Sequence, residues 1–286
     1  MTLSARPEKL NPMTTTMTRP LLLVGCGKMG GAMLAGWRNS GIAAAGVTIV
    51  EPTGATDFAD APDVTICASA TELPVDLNPE VIVFAVKPQQ MDDVVPAYLR
   101  FAGSDCVFLS IAAGKTIGYF EKHVGAQAGI IRAMPNTPAA IGQGITVLCP
   151  NGNVSDAQAA LCQQLMKSVG DAVTVSDEGL IDAVTAVSGG GPAYVFLLIE
   201  CLSAAGIAAG LPKNLAEQLA MATVAGSGQL ALASDEPPAQ LRENVTSPGG
   251  TTLEALKILM AGDSLQLLIT RAIAAATERS RELAGD

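Results

Sequence analysis

Eight short apolar runs between residues 21 and 175 constrain the fold of the chain more than any other feature. Continuous runs of Val, Ile and Leu are typical of parallel strands that are buried on both faces of a sheet. Helical patterns separate the runs, and this alternation predicts a doubly wound α/β sheet. The predicted strands are Leu21–Val24, Val47–Val50, Val64–Cys67, Val81–Val86, Val107–Ile111, Ile130–Arg132, Ile145–Leu148 and Ala172–Val175.

The pattern changes after about Ser176, where strand-like runs give way to Ala-rich and Leu-rich helices. In the last predicted helix, for example, Leu265 and Ile269 recur on one face. The chain is therefore predicted to have three parts: a disordered leader at 1–19, an α/β domain at 20–175 and an all-helical domain at 176–286. The helical part is so apolar that we expect it to pack against a second copy of the chain, with a well-packed monomer as the alternative.

The composition excludes several classes of function. A net charge of −10 argues against a nucleic-acid or anionic-membrane partner, because both require clustered Lys and Arg. The six cysteines are scattered without the spacing of metal ligands, as in reduced thiols of an intracellular protein. His123 is the single histidine, which disfavours histidine-centred acid–base chemistry. The apolar stretch Ala183–Ile199 is short and interrupted for a membrane span, so a soluble cytoplasmic protein is expected.

The sequence "LLLVGCGKMGG" places a glycine-rich turn directly after the first strand and at the start of a helix. Gly25 is predicted to make the tight turn, Gly27 to let a pyrophosphate approach the backbone, and Gly30 to pack the helix on the strand. A Rossmann-like dinucleotide site is therefore predicted, since the strand, the turn and the helix occur in the required order. The turn is made of Gly25, Cys26, Gly27, Lys28, Met29 and Gly30.

Glu51 ends the second strand, where an acid can bind the 2′-hydroxyl of the NAD ribose. No Lys or Arg lies between Arg38 and Lys87, so this stretch offers no basic clamp for a 2′-phosphate. Thr53 and Thr56 could still donate hydrogen bonds to such a phosphate. The cofactor is therefore NADPH or NADH, with NADH favoured; the alternative for Glu51 is a solvated strand end.

Three more loops follow predicted strands at the edge of the sheet where ligands of α/β proteins bind. They occur in "FAVKPQQ", "LSIAAGKT" and "IRAMPNTPAA". Taken together they predict the rest of the cofactor crevice. The residues concerned are Ala85, Val86, Lys87, Pro88, Ile111, Ala112, Ala113 and Asn136.

A second candidate site is "NVTSPGGTTLEAL", which interrupts the helical half. Pro248 and two glycines cannot continue a helix, but they can deliver Gly250, Thr251 and Thr252 to the first turn of the next one. Backbone N–H groups are unpaired there and can hold a small anion, with Ser247 adding a hydroxyl. An ordinary helix cap is the alternative. Three glycines before Pro192, in "VSGGGPAYVF", likewise predict a close approach of the backbone to a neighbouring helix or to the nicotinamide region.

Several motifs together resemble one family. The stretches "GCGKMG", "AVKPQ", "SIAAGKT", "RAMPNTPA", "VSGGGPAYVF" and "VTSPGGTTLEAL" occur in the order and approximate spacing of the pyrroline-5-carboxylate reductases, from Leu21 to the C-terminus. One difference is Gly190, where the family usually has serine. The resemblance implies a Rossmann domain, a helical dimerisation domain, and the last step of proline synthesis.

The chemistry of that family suits these residues. Its substrate is a cyclic imine with a carboxylate, and hydride transfer to the imine carbon requires neither a nucleophile nor a metal. The resemblance implies that Ser247, Gly250, Thr251 and Thr252 hold the substrate, and that the Thr252 hydroxyl orients or relays a proton at the ring nitrogen. It also implies a homo-oligomer, often a dimer that assembles further.

Two other functions fit parts of the sequence. A β-hydroxyacid dehydrogenase has the same domain plan, but it relies on a lysine in its helical domain, and none occurs near Gly189–Ile199. A non-catalytic NAD(P) sensor would have no need of the site at Ser247–Thr252.

Overall fold

The computed structural model describes residues 16–103 and 105–285. Residues 1–15 of the predicted leader lie outside the described residues. The chain divides into two compact units. The sheet unit contains residues 16–190 and 275–285, and the helical unit is Gly191–Ala274.

A single eight-stranded sheet forms the centre of the sheet unit. Its strands lie in the order β3-β2-β1-β4-β5-β6-β7-β8. The first three strands are therefore added toward one edge of the sheet and the next five toward the other edge, and the switch point lies between β1 and β4. This order is that of a doubly wound dinucleotide-binding sheet. The strands are β1 Leu21–Val24, β2 Val47–Val50, β3 Val64–Cys67, β4 Val81–Phe84, β5 Val107–Ser110, β6 Gly129–Met134, β7 Gly144–Pro150 and β8 Gly170–Thr174.

All eight predicted strands are present, but the prediction that they are all parallel is wrong for one pair. β7 runs antiparallel to β6, with Arg132 opposite Cys149, whereas β8 is parallel to β7. The connection between β6 and β7 contains only the 3₁₀ segment Thr137–Ile141. A parallel crossover requires a dozen or more residues, so this short connection can join only antiparallel strands.

Ten α-helices are assigned within the described residues. The C-terminal turns of the last helix belong to the sheet unit and its first part to the helical unit. The helices are α1 Lys28–Ser40, α2 Met91–Val94, α3 Ile117–Val124, α4 Asp156–Lys167, α5 Leu180–Val184, α6 Gly191–Ala208, α7 Lys213–Ala233, α8 Pro238–Asn244, α9 Thr251–Leu259 and α10 Ser264–Ala284.

The sheet separates two apolar layers within its unit. Leu21 and Leu23 contact α1 and α4 on one face, through buried side chains such as Trp37 and Leu165. Leu22 and the aromatic residues of β4 and β5 form the other layer. Because neighbouring residues of a strand point to opposite faces, a strand that is apolar throughout must be covered on both sides.

Residues 16–19, which the sequence assigned to the leader, contact this unit. The Met17 side chain is buried, and its backbone N–H donates to the Ile42 carbonyl at 2.9 Å. The backbone N–H groups of Thr18 and Arg19 both donate to the Glu80 carboxylate. Residues 16–19 therefore pack on the sheet unit ahead of its first strand.

The helical unit leaves most of its large apolar side chains exposed. α6 and α7 pack on each other mainly through small residues such as Gly206 and Ala216. Meanwhile Phe196 is 58% exposed and Leu197 is 57% exposed. Other exposed apolar side chains are Val195, Leu198, Leu202, Leu219, Met221, Leu230, Leu232, Ile258, Leu267 and Leu268.

The segment that the sequence described as short and interrupted is a continuous helical stretch. A π-helical turn, Thr185–Gly189, carries the helix past its glycines into α6. By length and composition alone, Leu180–Ala208 could cross a membrane, and 6% of its most apolar window is buried. The predicted interruption is wrong. The glycines do not break the helical path, because Gly189 lies in the π-helical turn and Gly190 keeps αR dihedral angles (φ −80°, ψ −19°). Pro192 is the second residue of α6, where proline is tolerated.

Candidate functional site

The glycine-rich turn between β1 and α1 has the geometry that its sequence predicts. Gly25 has φ +90°, and a Cβ there would lie 2.9 Å from the Ala85 carbonyl oxygen. A Cβ on Gly30 would collide with the Gly25 carbonyl oxygen, so helix and strand pack closely there. By contrast, nothing lies within 4 Å of a Cβ placed on Gly27. That open side leaves room for a ligand against the backbone at the start of α1.

The Glu51 carboxylate is attached to this turn rather than standing free in solvent. Its Oε2 accepts the Cys26 backbone N–H at 2.9 Å. Its Oε1 accepts the Thr53 backbone N–H at 3.2 Å and the Thr53 hydroxyl at 2.8 Å. Partial burial raises the pKa of Glu51, but these hydrogen bonds outweigh it and hold the pKa below its usual value. The carboxylate is therefore ionised and fixed beside the turn.

A cavity of about 610 Å³ opens at the carboxyl ends of β1, β2, β3 and β4. Its volume falls within the usual range for a small-molecule site, roughly 300–1,000 Å³. Of the predicted cofactor residues, Gly25, Gly27, Glu51, Ala85, Val86 and Lys87 line it. Three charged residues lie in the wall: Glu51, Lys87 and Asp93.

The sequence analysis missed the part of this wall that follows β3 and the part on α2. These residues include Ala68, Ser69, Gln90, Asp93, Val94 and Tyr98. The signal was available for the first group, because the rule that ligands bind beyond strand carboxyl ends applies to β3 as well as to β1 and β2. Nothing in the local sequence indicates that α2 turns Asp93 toward the same space.

The other predicted cofactor residues are not part of the cavity wall. Cys26, Lys28, Met29, Gly30 and Pro88 are neighbours in sequence of residues that line it, whereas Ile111, Ala112, Ala113 and Asn136 lie further along the sheet, after β5 and β6. Ile111 donates its N–H to the Phe84 carbonyl, and Ala112 donates to the Ser110 hydroxyl at 3.2 Å, so the loop after β5 is held against the sheet. The Asn136 carboxamide oxygen accepts the Ile145 N–H at 2.9 Å. Asn136 thus has a structural bond, and only its amide N–H₂ remains for a ligand.

Cys26 is the one residue of the turn with a titratable thiol. Burial, followed by the charges of Glu51 and Asp57, raises its pKa to about 11. A thiol with that pKa is protonated near neutral pH and is a poor nucleophile.

The second candidate site is the start of α9. Gly249 has φ +69°, and Gly250 is the N-cap residue, with no side-chain hydrogen bond capping the helix. The predicted role of the Gly250 N–H as an anion donor needs correction, because this group donates to the Ser247 carbonyl at 3.0 Å. Helix geometry leaves the next N–H groups, those of Thr251, Thr252 and Leu253, without partners inside the helix, whereas the Glu254 N–H donates to the Gly250 carbonyl. Ser247, Thr251 and Thr252 are all exposed.

The three glycines before Pro192 have a specific contact of their own. The Gly190 N–H donates to the Thr185 carbonyl at 2.8 Å, which closes the π-helical turn. A Cβ on Gly189 would lie 3.5 Å from the Met134 sulfur, so the close neighbour is the end of β6. π-Helical turns are rare and are often found near functional sites.

A doubly wound sheet with a glycine-rich turn after β1 and an ionised acid after β2 defines the class: a dinucleotide-dependent oxidoreductase. Comparison with protein families agrees with this. Residues 21–114 match a model described as "NADP oxidoreductase coenzyme F420-dependent". Residues 178–283 match one described as "Pyrroline-5-carboxylate reductase dimerisation". The chain is also 38% identical over 267 residues to the pyrroline-5-carboxylate reductase of Pseudomonas aeruginosa, covering 93% of this chain and 97% of that protein. It therefore belongs to the pyrroline-5-carboxylate reductase family.

Solved structures give the same result. A pyrroline-5-carboxylate reductase from Coxiella burnetii superposes with a TM-score of 0.86 at 34% identity, over 94% of this chain and 99% of that chain. The pyrroline carboxylate reductase of Plasmodium falciparum, whose structure has NADP bound, superposes with a TM-score of 0.79 at 32% identity and the same coverage. The predicted family, fold class and activity are confirmed. The two alternative functions are set aside.

Within the described residues, no group of three or more His, Cys, Asp or Glu side chains could hold a metal ion.

Proposed function

We propose that the crevice at the carboxyl ends of β1, β2 and β4 binds the dinucleotide of a pyrroline-5-carboxylate reductase, and that the start of α9 binds its substrate. The observation that carries the first half is the turn at Gly25–Gly30, where a side chain at Gly25 would collide with the backbone of Ala85, just after β4, but Gly27 is open. The pyrophosphate would lie against that open backbone, at the positive end of α1.

The substrate carries a carboxylate beside its cyclic imine. Backbone N–H groups at the first turn of α9, from Thr251 and Thr252, suit that carboxylate because they lack partners within the helix and lie at the positive end of its dipole. The Ser247 hydroxyl is exposed beside them, and Gly250 at the N-cap keeps the approach free of a side chain.

Thr252 is proposed as the residue that meets the ring nitrogen. The alternative, that it only caps α9, finds no support in the geometry, because Gly250 is the N-cap and no side chain caps the helix. A threonine hydroxyl is a weak acid, so Thr252 orients or relays a proton rather than releasing one itself. When bound, the reduced nicotinamide supplies a hydride to the imine carbon; the C=N bond becomes C–N, and the nitrogen holds the proton.

The electrostatics of the cavity favour NADH over NADPH. Two carboxylates, on Glu51 and Asp93, face one ammonium, on Lys87, so the wall carries a net negative charge. Glu51 is fixed and ionised, which suits the two ribose hydroxyls and repels a 2′-phosphate. Lys87 is exposed at the end of β4 and is the cation in the wall that could offset this repulsion.

The functional form is proposed to be a homodimer that pairs through the helical unit. The match to a dimerisation family over residues 178–283 supports self-association. The exposed apolar side chains of α6 and α7 support that region as the contact. The division into a cofactor domain at 20–175 and a substrate domain at 176–286 stays a proposal. Location in the cytoplasm is also a proposal, and the six free cysteines support it.

Turnover of 1-pyrroline-5-carboxylate by the purified chain, followed by the absorbance of the reduced nicotinamide, tests this function. We expect activity with NADH to exceed that with NADPH in kcat/KM, and to persist in a metal chelator, because hydride transfer to a protonated imine requires no Lewis acid. Activity that is lost in chelator and restored by zinc would contradict the mechanism. A preference for NADPH would contradict only the role given to Glu51.

A further inference from the structure

A buried ionic cluster in the sheet unit ties three segments together. The Arg132 guanidinium on β6 is 3% exposed and lies between two carboxylates. Its NH1 donates to Glu178 Oε1 at 3.0 Å, and its NH2 lies 3.5 Å from Asp182 Oδ1. Among the described residues its Nε and NH2 have no hydrogen-bond partner. A charge buried in this way is costly unless its partners are held in place, so the position of each carboxylate matters.

Each carboxylate of the cluster is held by a different segment. Asp182 accepts the Ser280 hydroxyl at 2.6 Å, from the last turns of α10, and Ser280 is 4% exposed. Glu178 accepts the Ile117 backbone N–H at 2.8 Å, at the start of α3. The cluster therefore joins the end of α10 to β6 and to the loop that precedes α3.

The end of α10 also touches that loop directly. Gly114 has φ +71°, and a Cβ there would lie 2.8 Å from the Leu283 carbonyl oxygen. Residues 111–116 are thus held from two sides: by Glu178 at their end, and by the last turns of α10 across Gly114. The same cluster includes β6, which leads to Asn136.

The position of this loop in the crevice gives the cluster a function. In a doubly wound sheet the dinucleotide lies across the strand ends on both sides of the switch point between β1 and β4. In the proposed placing of the dinucleotide, the cavity that contains Glu51 takes the adenosine side. The other half of the cofactor then lies over the ends of β5 and β6, where residues 111–113 and Asn136 are found.

We propose that Ser280, Asp182 and Arg132 are positioning residues for the nicotinamide half of the cofactor, through which the C-terminal turns of α10 fix the loop after β5. None of the three touches the reacting atoms in this scheme. The inference rests on the proposed placing of the dinucleotide and adds a function for the C-terminus.

The test compares the binding of two ligands by calorimetry. NADH carries the nicotinamide ring, whereas ADP-ribose lacks that ring but keeps both riboses and the pyrophosphate, so the difference between the two ligands reports contacts to the nicotinamide itself. Ser280→Ala removes one hydroxyl, and its matched control is Ser168→Ala, which removes a hydroxyl that donates to the Leu165 carbonyl at the same distance, 2.6 Å. We expect Ser280→Ala to raise the dissociation constant of NADH roughly 3- to 10-fold and to leave that of ADP-ribose within about 2-fold.

A second pair of variants disturbs the loop at residues 111–116 while leaving the hydrogen bond between Ser280 and Asp182 in place. Gly114→Ala places a methyl group against Leu283, whereas Gly41→Ala has the same φ of +71° and nothing within 4 Å. We expect Gly114→Ala to weaken NADH more than ADP-ribose, and Gly41→Ala to change neither ligand selectively. Steady-state kinetics should agree, with KM for NADH raised more than KM for the imine.

The outcomes separate this inference from the proposed function. If the wild-type chain fails to bind NADH or to reduce the imine, the proposed function fails. If the wild type is active and Ser280→Ala weakens NADH and ADP-ribose equally, or weakens neither, the positioning role is wrong and the cluster contributes only to stability.

Discussion

The two units differ in how completely each one buries its own apolar residues. In the sheet unit, Leu22, Phe84 and Phe108 are fully buried, with α-helices and 3₁₀ segments covering the sheet. In the helical unit, α6 is apolar around its whole circumference, yet Phe196 and Leu197 are more than half exposed. A helix that is apolar on every side is normally buried on every side.

The sheet unit therefore buries its apolar side chains within itself, whereas the helical unit leaves a large apolar surface that its own residues do not cover. Burial of apolar surface contributes about 25 cal/mol per Å², so a large exposed apolar surface represents stability that a partner can supply. The binding chemistry shows a parallel contrast. The cavity at the strand ends, proposed to hold the cofactor, has a side chain already fixed by hydrogen bonds, that of Glu51, while the start of α9 offers exposed hydroxyls and backbone N–H groups without helical partners.

The most disruptive way to test the contrast is to place charge on the exposed face of α6. The double variant Phe196→Asp/Leu197→Asp should abolish dimerisation, with the dissociation constant of the dimer raised about 1,000-fold or more. A two-fold symmetric interface contains each substitution twice, once from each subunit, and would bury all four carboxylates without a partner. Sedimentation velocity over a range of concentrations measures this.

The matched control makes the same exchange in the sheet unit. Val75 is 95% exposed and Leu99 is 53% exposed, so Val75→Asp/Leu99→Asp adds equal charge at apolar positions of a complete core. This control should leave the oligomer unchanged. Dimers that survive the α6 variant, or that dissociate in the control, would reverse the comparison.

The next effect concerns the start of α9. Thr252→Val keeps the shape of the side chain and deletes its hydroxyl, which should lower kcat roughly 10- to 1,000-fold with a much smaller change in KM. Thermal melts on the same preparation should show little change, since Thr252 does not cap the helix. Thr270→Val, which removes an exposed hydroxyl from α10 in the same unit, serves as control. A stable and fully active Thr252→Val would transfer the proton step to Ser247 or to a bound water.

Substitutions at the glycine-rich turn of the sheet unit should change the affinity for the cofactor rather than the rate of the chemical step. Gly27→Val fills the open space beside the turn, so we expect the dissociation constant of NADH to rise about 10- to 100-fold while the fold stays intact. Gly152→Val is the matched control, because a Cβ there also has nothing within 4 Å but lies away from the crevice. An unchanged titration in folded Gly27→Val would remove that position from the site.

The smallest expected effect is on the choice between cofactors. Glu51→Gln removes the charge that repels a 2′-phosphate, and the ratio of kcat/KM for NADH to that for NADPH should fall about 10-fold. Glu72→Gln is a suitable control, because Glu72 also accepts a loop N–H, from Ala68, and carries the same charge. Equal shifts in the two variants would mean that net charge, rather than the position of Glu51, sets the preference.

Much of the sheet could be predicted because its rules are local. The predicted strands β1, β2 and β3 have the observed bounds, since each is a continuous apolar run between turn residues. The start of α4 also has a local signal, because Ser155 and Gln158 are spaced as in a capping box and both of its hydrogen bonds are present. The direction of β7 was missed because the predicted strands Ile130–Arg132 and Ile145–Leu148 leave residues 133–144 between them, enough for a crossover, whereas β6 and β7 run further and leave only 135–143.

The candidate sites, like the sheet, have some features that the local sequence predicts and others that it does not. The glycine spacing was enough to predict the turn, because a positive φ at Gly25 and close packing at Gly30 follow from the absence of a side chain. Asp93 in the cavity wall was missed because its place depends on atoms brought together by folding. The hydrogen bond of the Gly250 N–H was missed although its signal is local, since Pro248 and Gly249 favour a turn in which this group donates to the Ser247 carbonyl.

The doubly wound sheet, the glycine-rich turn, the helical second half and the family all follow from the sequence alone, because apolar periodicity, glycine spacing and motif order are properties of residues close together in the chain. Folding adds what no local pattern contains: β7 pairs with β6 in the antiparallel direction, Glu51 accepts hydrogen bonds from the turn, and Ser280 donates to Asp182 beside a buried arginine. These features join residues far apart in the chain, and their energies exist only once burial has removed the water that would otherwise compete for the same charges and hydrogen bonds.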